Sequence, residues 1–364
     1  MHAHGTHRTH RTHRTHRTHR THRIRPRPAR VRAVLVGALL AALVAATVLV
    51  PAGPSAAWTA RAAGNVAGVT VGGPPLSTPP DRLAAALDCP AGFPRSEREP
   101  VLLVHGTGVD SALNWGWNQA PALRDRGYDV CTVDLPGRST GDIQESAEYV
   151  VHAVAALHAA TGRKADVVAH SQGGLQIRWG LTWWPGLRDM VDDVVSLGTP
   201  EHGTAAGDLL CVLPCAAAAH QMTQGSAFLA ALNSGDQTPG AVSYTSIRTR
   251  DDLAAVPHWT AVLDGARNIG LQEVCGIRLV THVGLVYDSV AFRLVLDALS
   301  SPGPADPRRL PAGACLAAPY VPGVGALDVV RATAAVVPAA ATALAAAPRT
   351  HHEPPLRPYA SPGR

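Results

Sequence analysis

Val167-Val168-Ala169-His170-Ser171-Gln172-Gly173-Gly174 is the stretch that decides the fold. The mostly apolar run 165–169 reads as a short buried strand. A serine follows almost at once, then two glycines, then a helical pattern over 175–184. The order is strand, sharp turn, helix, with Ser171 at the turn. In a nucleophile elbow the serine occupies a strained corner, so its hydroxyl points out of the top of a sheet. Small residues flank it because strand and helix nearly touch there. The usual pattern is G-x-S-x-G. Here it reads A-H-S-Q-G, with Ala169 in place of the first glycine. A lone serine in a loop is usually a solvated turn; the strand before it and the helix after it favour a nucleophile.

Outward from this corner, strands alternate with helices. Residues 101–104 form a buried strand ended by His105-Gly106-Thr107-Gly108. The pattern predicts a short helix over 79–89, a helix over 120–126 and a strand over 128–135. An amphipathic helix over 143–160 has Val150, Val154 and Leu157 on one face and Gly162 just past its end. Strands are expected at 191–197, 242–248 and 277–281, and a helix at 289–299. An apolar helical segment over 327–346 carries Pro338, which should kink it. This alternation predicts an α/β class with a mostly parallel central sheet and helices on both faces. A single domain is expected over 79–364, with an alanine-rich cover segment near 205–232.

In such sheets, active-site groups gather at the carboxyl ends of the strands. After the strand at 242–248 come Arg250-Asp251-Asp252, and after 277–281 comes His282. Ser, then Asp, then His is the chain order of α/β-hydrolases. A serine hydroxyl is a poor nucleophile until a neutral imidazole takes its proton, and a carboxylate must orient that imidazole. His105, His170, His202 and His258 also lie near expected strand ends, but only His282 follows the acid and directly ends a strand. Asp251 and Asp252 are not separable on these grounds. An oxyanion hole needs backbone N–H groups aimed at the developing charge. Gln172, after the nucleophile, offers one, and the Gly106-Thr107-Gly108 turn offers another. Glu201, just past a strand, is a candidate pocket residue or an ordinary loop charge. No P-loop lysine follows the glycine turns.

The formal charge of +5 belongs to the N-terminus. Residues 1–57 hold ten arginines and no acid, so the remainder carries 22 basic against 27 acidic residues. The body therefore shows no nucleic-acid footprint. Residues 6–23 are six copies of Thr-His-Arg, a low-complexity tract unable to bury a core. The uncharged apolar run 33–50 follows, then Ser55-Ala56-Ala57. This order reads as a secretory signal cleaved after Ala57, with a membrane anchor through 33–50 as the alternative. Residues 58–78 read as an Ala/Gly/Pro-rich linker. Six cysteines in an exported chain imply disulfides, with fifteen possible pairings.

The sequence resembles the lipase B group of secreted α/β-hydrolases, typified by Candida antarctica lipase B. The resemblance is carried by VLLVHGTG at 101–108, YDVCTVDLP at 128–136, HSQGGLQIRWGLTWWP at 170–185, RDDLAAVP at 250–257, VCGIRLVTH at 274–282 and EPPLRPYASP at 353–362. It implies Ser171 as nucleophile, His282 as base, Asp252 rather than Asp251 as acid, and Thr107 with Gln172 as oxyanion hole. It further implies the bridges Cys89–Cys131 and Cys275–Cys315, the latter expected to be buried. The tryptophan that precedes the serine in the family is His170 here, at a pocket-lining position. The family's C-terminal bridge has no cysteines here. Cys211 and Cys215 are extra and are expected to pair locally. The expected function is a secreted serine ester hydrolase, a lipase or carboxylesterase, acting as a monomer on ester or lipid substrates at a lipid–water interface. No metal, cofactor or nucleic acid is expected. An acyltransferase or polyester depolymerase on the same triad, or a non-catalytic binding protein of this fold, are the rival readings.

Overall fold

The computed structural model describes residues 71–361. The Thr-His-Arg tract, the apolar run 33–50, the site after Ala57 and the first part of the linker lie outside the described residues. In chain order the strands are β1 (Leu87–Asp88), β2 (Val101–Val104), β3 (Val130–Val133), β4 (Ala165–His170), β5 (Val191–Leu197), β6 (Cys215–Ala216), β7 (Ser243–Arg248), β8 (Arg267–Gly270) and β9 (Arg349–Thr350). Seven of them form one sheet in the order β1-β3-β2-β4-β5-β7-β8. Every pairing is parallel except β1 with β3.

Residues on β2 and β4 are fully buried on both faces, which is why they read as unbroken apolar runs. Leu102, Val104 and Val167 face a core under the helices Ile143–Thr161 and Gly173–Trp183. Val101, Leu103 and Val168 face a second core with Trp115, Leu123 and Phe292, from helices on the other side. The helix Ile143–Thr161 ends as its sequence predicts, on Gly162 with φ 67°.

The strand expected at 277–281 is not there. Ile277 is 96% exposed and Leu279 87% exposed, so the apolar alternation in that run packs on nothing. Arg278 instead ties the segment to Asp288 and Ser289, and the Cys275–Cys315 disulfide pins its start. The last strand of the sheet is β8, whose sequence Arg-Asn-Ile-Gly is too polar to be read as one. The cover segment resolves into the short helices Ala205–Leu210, Ala217–Gln221 and Ala227–Leu232. Phe228, Leu229 and Leu232 belong to the main core, whereas Leu209, Leu210, Val212 and Leu213 are exposed. Part of the linker is docked: buried Glu148 accepts from the Ser77 N–H, the Ser77 hydroxyl and the Thr78 N–H at 2.7–2.8 Å.

Cys89–Cys131, Cys211–Cys215 and Cys275–Cys315 are all bonded. Cys275 is buried, but Cys315 is exposed, so that bridge is open to solvent on one side. Near the C-terminus the chain is tied down by Glu353. Its carboxylate accepts the Ala227 and Phe228 N–H groups at the start of the helix Ala227–Leu232, at 2.8 and 2.7 Å. The antiparallel ladder of β6 with β9 holds the chain just before Glu353.

The helix Gly173–Trp183 starts hard against β2. A Cβ at Gly173 would lie 2.7 Å from the Val104 carbonyl oxygen and 3.0 Å from that of His105. Gly173→Ala is therefore expected to destabilise the protein by about 1–3 kcal/mol, because backbone must move to admit a methyl group. Urea unfolding checks this; an unchanged midpoint would contradict the close approach.

Candidate active site

β4 ends at His170 and the chain turns at Ser171, whose φ is 56°. A side chain rarely adopts this left-handed backbone, and at such corners the neighbours must hold it. Here the Ser171 N–H donates to the Leu197 carbonyl at 2.8 Å, and its carbonyl accepts from the Thr199 hydroxyl at 2.8 Å. The loop after β2 reaches the same corner. A Cβ at Gly106 would lie 2.9 Å from Ser171 Cβ, so only glycine lets Thr107 stand beside the serine.

The loop after β7 carries Asp252. Its Oδ1 accepts the Ala254 and Ala255 N–H groups at 2.8 and 2.7 Å, and its Oδ2 lies 2.8 Å from His282 Nδ1. A carboxylate oxygen accepts in this contact, so Nδ1 is the donating ring nitrogen and Nε2 is the one left over. Asp251 points elsewhere. Its Oδ2 accepts from Gln272 Nε2 and the Val280 N–H at 3.3 and 3.4 Å, bracing the segment that leads to His282. His282 itself follows irregular chain and precedes a 3-10 turn at Val283–Val286.

Ser171, His282, Thr107 and His170 all line one cavity of about 270 Å³. Its remaining wall is largely apolar, with Leu210, Met222, Val286, Val336 and Leu344 among its members. Gln172 is fully buried and does not line this cavity; its side chain accepts from Gln176 Nε2 at 3.3 Å. It caps the N-terminus of the helix Gly173–Trp183, where the first backbone N–H groups have no partner within the helix.

His170 is buried between Asn114 and His282. Its Nδ1 donates to Asn114 Oδ1 at 2.9 Å, and its ring stands 4.8 Å from that of His282. Burial, and then the neighbouring His282, hold its pKa well below the usual histidine value. His105 is fully buried, with Nδ1 on the Gly106 carbonyl and Nε2 accepting the Leu135 N–H, and burial lowers its pKa too. His202 and His258 do not line the cavity.

Glu201 is not a pocket residue. It is fully buried and bound to Arg178, 2.8 Å away, behind the sheet end. Burial pushes its carboxyl up while the guanidinium opposes this. A charge next to a strand end looks solvated in sequence, but a partner 23 residues earlier, on the helix Gly173–Trp183 that precedes β5, takes it inside. Two contributors escaped the sequence reading. Asn114, in the short helix Ser111–Trp115, joins the Gly106 N–H to His170 through one oxygen. The helix Ala326–Ala346 supplies Val336, Val337, Ala340 and Leu344 to the cavity wall. Among the described residues it alone is long and apolar enough to cross a membrane, yet it forms part of this wall.

The chain matches the α/β-hydrolase fold family over residues 99–208. It is 31% identical over 307 residues to lipase B of Pseudozyma antarctica, covering 79% of this chain and 87% of that protein. It is also 31% identical over 153 residues to a triacylglycerol lipase of Burkholderia plantarii, covering 40% of this chain and 38% of that one. Among solved structures, Aspergillus fumigatus lipase B superposes with a TM-score of 0.75 at 30% identity, covering 80% of this chain and 73% of that one.

The buried neutral histidines have a consequence for stability. His105, His152 and His170 all have lowered pKa values in the fold. Below the unfolded value of about 6.5, the unfolded chain takes up protons that the native chain resists, so stability falls as pH falls through that range. His170→Gln, which cannot be protonated, is expected to flatten this decline. Urea midpoints measured from pH 7.5 to 5 test it, and equal slopes for parent and variant would contradict a neutral buried His170.

Proposed function

From the premise that this chain belongs to the lipase B family of α/β-hydrolases, a lipase-like ester hydrolase, we propose that it is an exported serine carboxylic ester hydrolase acting through an acyl-enzyme on Ser171. The observation that carries this is one arrangement. A serine held at φ 56° opens onto the same apolar cavity as His282, whose Nδ1 is fixed by Asp252 at 2.8 Å.

Ser171 Oγ attacks the ester carbonyl carbon while His282 Nε2 takes its proton. Asp252 keeps Nδ1 protonated and steadies the imidazolium that forms. The carbonyl oxygen becomes an oxyanion, and the N–H groups of Thr107 and Gln172 receive it. The tetrahedral adduct collapses, His282 returns the proton to the departing alkoxide, and the alcohol leaves. Water then repeats the sequence on the acyl-serine and frees the acid. The apolar wall suits an acyl chain, and the small number of polar groups at its base suits orientation of the ester.

Exposed Leu209, Val212 and Leu213 lie beside cavity residue Leu210, and exposed Leu327, Val330 and Val337 belong to the wall helix. Such a rim supports contact with a lipid–water interface. Three disulfides support an oxidising compartment outside the cytoplasm.

Ser171→Ala is expected to lower the hydrolysis rate of p-nitrophenyl esters by ~10⁴-fold or more. Asp252→Asn is expected to cost roughly 10⁴-fold, as removal of an orienting carboxylate does in related triads, and Asp251→Asn little. Near-normal turnover by Ser171→Ala, or a reversed order for the two aspartates, would overturn the assignment. A second measurement concerns the rim. The double change Leu209→Ser/Val212→Ser should reduce the rate on a dispersed long-chain ester and leave a dissolved short ester unchanged. Equal loss on both substrates would contradict interfacial contact.

A further inference from the structure

At the end of the sheet remote from Ser171, Asp166 is the second residue of β4, and Asp192 and Asp193 are the second and third of β5. One carboxylate oxygen from each lies within 4.8 Å of the others. They border a second cavity of about 520 Å³, also lined by Glu99, Tyr128 and Ser300. Asp166 is only 2% exposed and Asp193 only 4%. Asp166 Oδ1 and Asp193 Oδ1 have no hydrogen-bond partner, so acceptors sit in the wall of a polar cavity with nothing to accept from.

The cations nearby do not resolve this. Lys164 Nζ pairs with Asp192 Oδ1 at 3.2 Å, and both side chains are half-exposed. The Arg98 guanidinium, which lines the cavity, is stacked over the Tyr128 ring at 4.7 Å from its centroid. Asp166, Asp192, Asp193 and Glu99 therefore outnumber the two cations that face them. Burial, and then Asp193, push the Asp166 carboxyl far up, and burial and Asp192 push Asp193 to about 7. Asp166 accepts a backbone N–H from Asp193, and Asp193 accepts from the Ser243 side chain, so one buried oxygen of each is left unsatisfied, a cost that a shared proton or a bound cation relieves.

The helix Ser289–Ser300 ends at the same place, and Leu299 and Ser300 line the cavity. The last carbonyls of a helix have no partner within it and form its negative end. No basic residue occupies its last turn. Carboxylates from two adjacent strands and the end of this helix thus border one cavity. We propose that Asp166, Asp192 and Asp193 form a calcium-binding site at the amino-terminal edge of the sheet, separate from the hydrolytic cavity. Calcium takes six to eight oxygens at about 2.3–2.6 Å, so two ligands across one ion stand about 5 Å apart, which matches the span of this trio. The ion ties β4, β5 and the end of the helix together. It neutralises the two buried carboxylates and leaves Lys164 on the outer oxygen of Asp192.

Terbium, a luminescent stand-in for calcium, tests this on the full mature protein, with Tyr128 in the cavity wall as the sensitiser. Saturable emission displaced by calcium is expected. Binding should weaken by about tenfold or more in Asp166→Asn, in Asp193→Asn and in half-exposed Asp192→Asn, since ligand charge sets affinity in such sites. Calcium should also raise the unfolding temperature of the parent above its value in EDTA, and not that of Asp193→Asn. The absence of calcium-displaceable emission, or equal emission in all three variants, would overturn the site and assign the carboxylates a shared proton. Asp192→Asn, near the surface, keeps the test decisive if a buried change prevents folding. Ester hydrolysis is not the readout, so the outcome stands apart from the reading of Ser171.

Discussion

Close contact between two backbone corners governs the rest of the molecule. The loop after β2 meets the turn after β4 at Gly106 and Ser171, and the helix that follows meets β2 at Gly173. Any side chain at either glycine would collide, so the serine, the loop after β2 and the helix N-terminus are locked at one depth. The parallel register of β2 with β4 delivers both corners together, pairing Val104 with Ala169 at their carboxyl ends. The left-handed backbone at Ser171 survives because Leu197 and Thr199, from β5 and its loop, satisfy its peptide groups. Strain at one residue is thus carried by three adjacent strands.

Around that corner, hydrogen bonds rather than charge alone sort the candidates. Asp252 has both oxygens occupied, one by two N–H groups of its own turn and one by His282. Asp251 faces Gln272 and Val280 and positions the same histidine from behind through the chain. Two adjacent aspartates therefore divide two tasks, holding the imidazole and holding the segment that carries it. His170 adds a buried neutral ring between His282 and Asn114, where the family carries tryptophan.

The sheet was largely legible because its central strands are buried on both faces and their apolar runs stop abruptly at glycine. β8 was not, since it is an edge strand whose Asn268 serves a loop and whose Arg267 is exposed. The run at 277–281 misled for the opposite reason: alternation without a partner is no strand, and a disulfide and an ion pair set its path. The corner at Ser171 and the Gly106 turn were readable from local pattern; His282 was singled out by chain order, but the strand it was expected to end does not form. Glu201 and Asn114 were not readable, because a buried ion pair and a bridging amide depend on residues far away in sequence. The apolar helix 326–346 was readable as a helix, but nothing in its own pattern revealed which cavity it walls.

The central claim is that Ser171 is the nucleophile of this fold, activated by its surroundings. The most direct test is covalent. The purified protein is treated with a fluorophosphonate, and the modified residue is located by peptide mass spectrometry. We expect one adduct per chain, on Ser171, with labelling greatly slowed in His282→Ala. Labelling at another residue, or an unlabelled Ser171 in folded protein, would contradict the account.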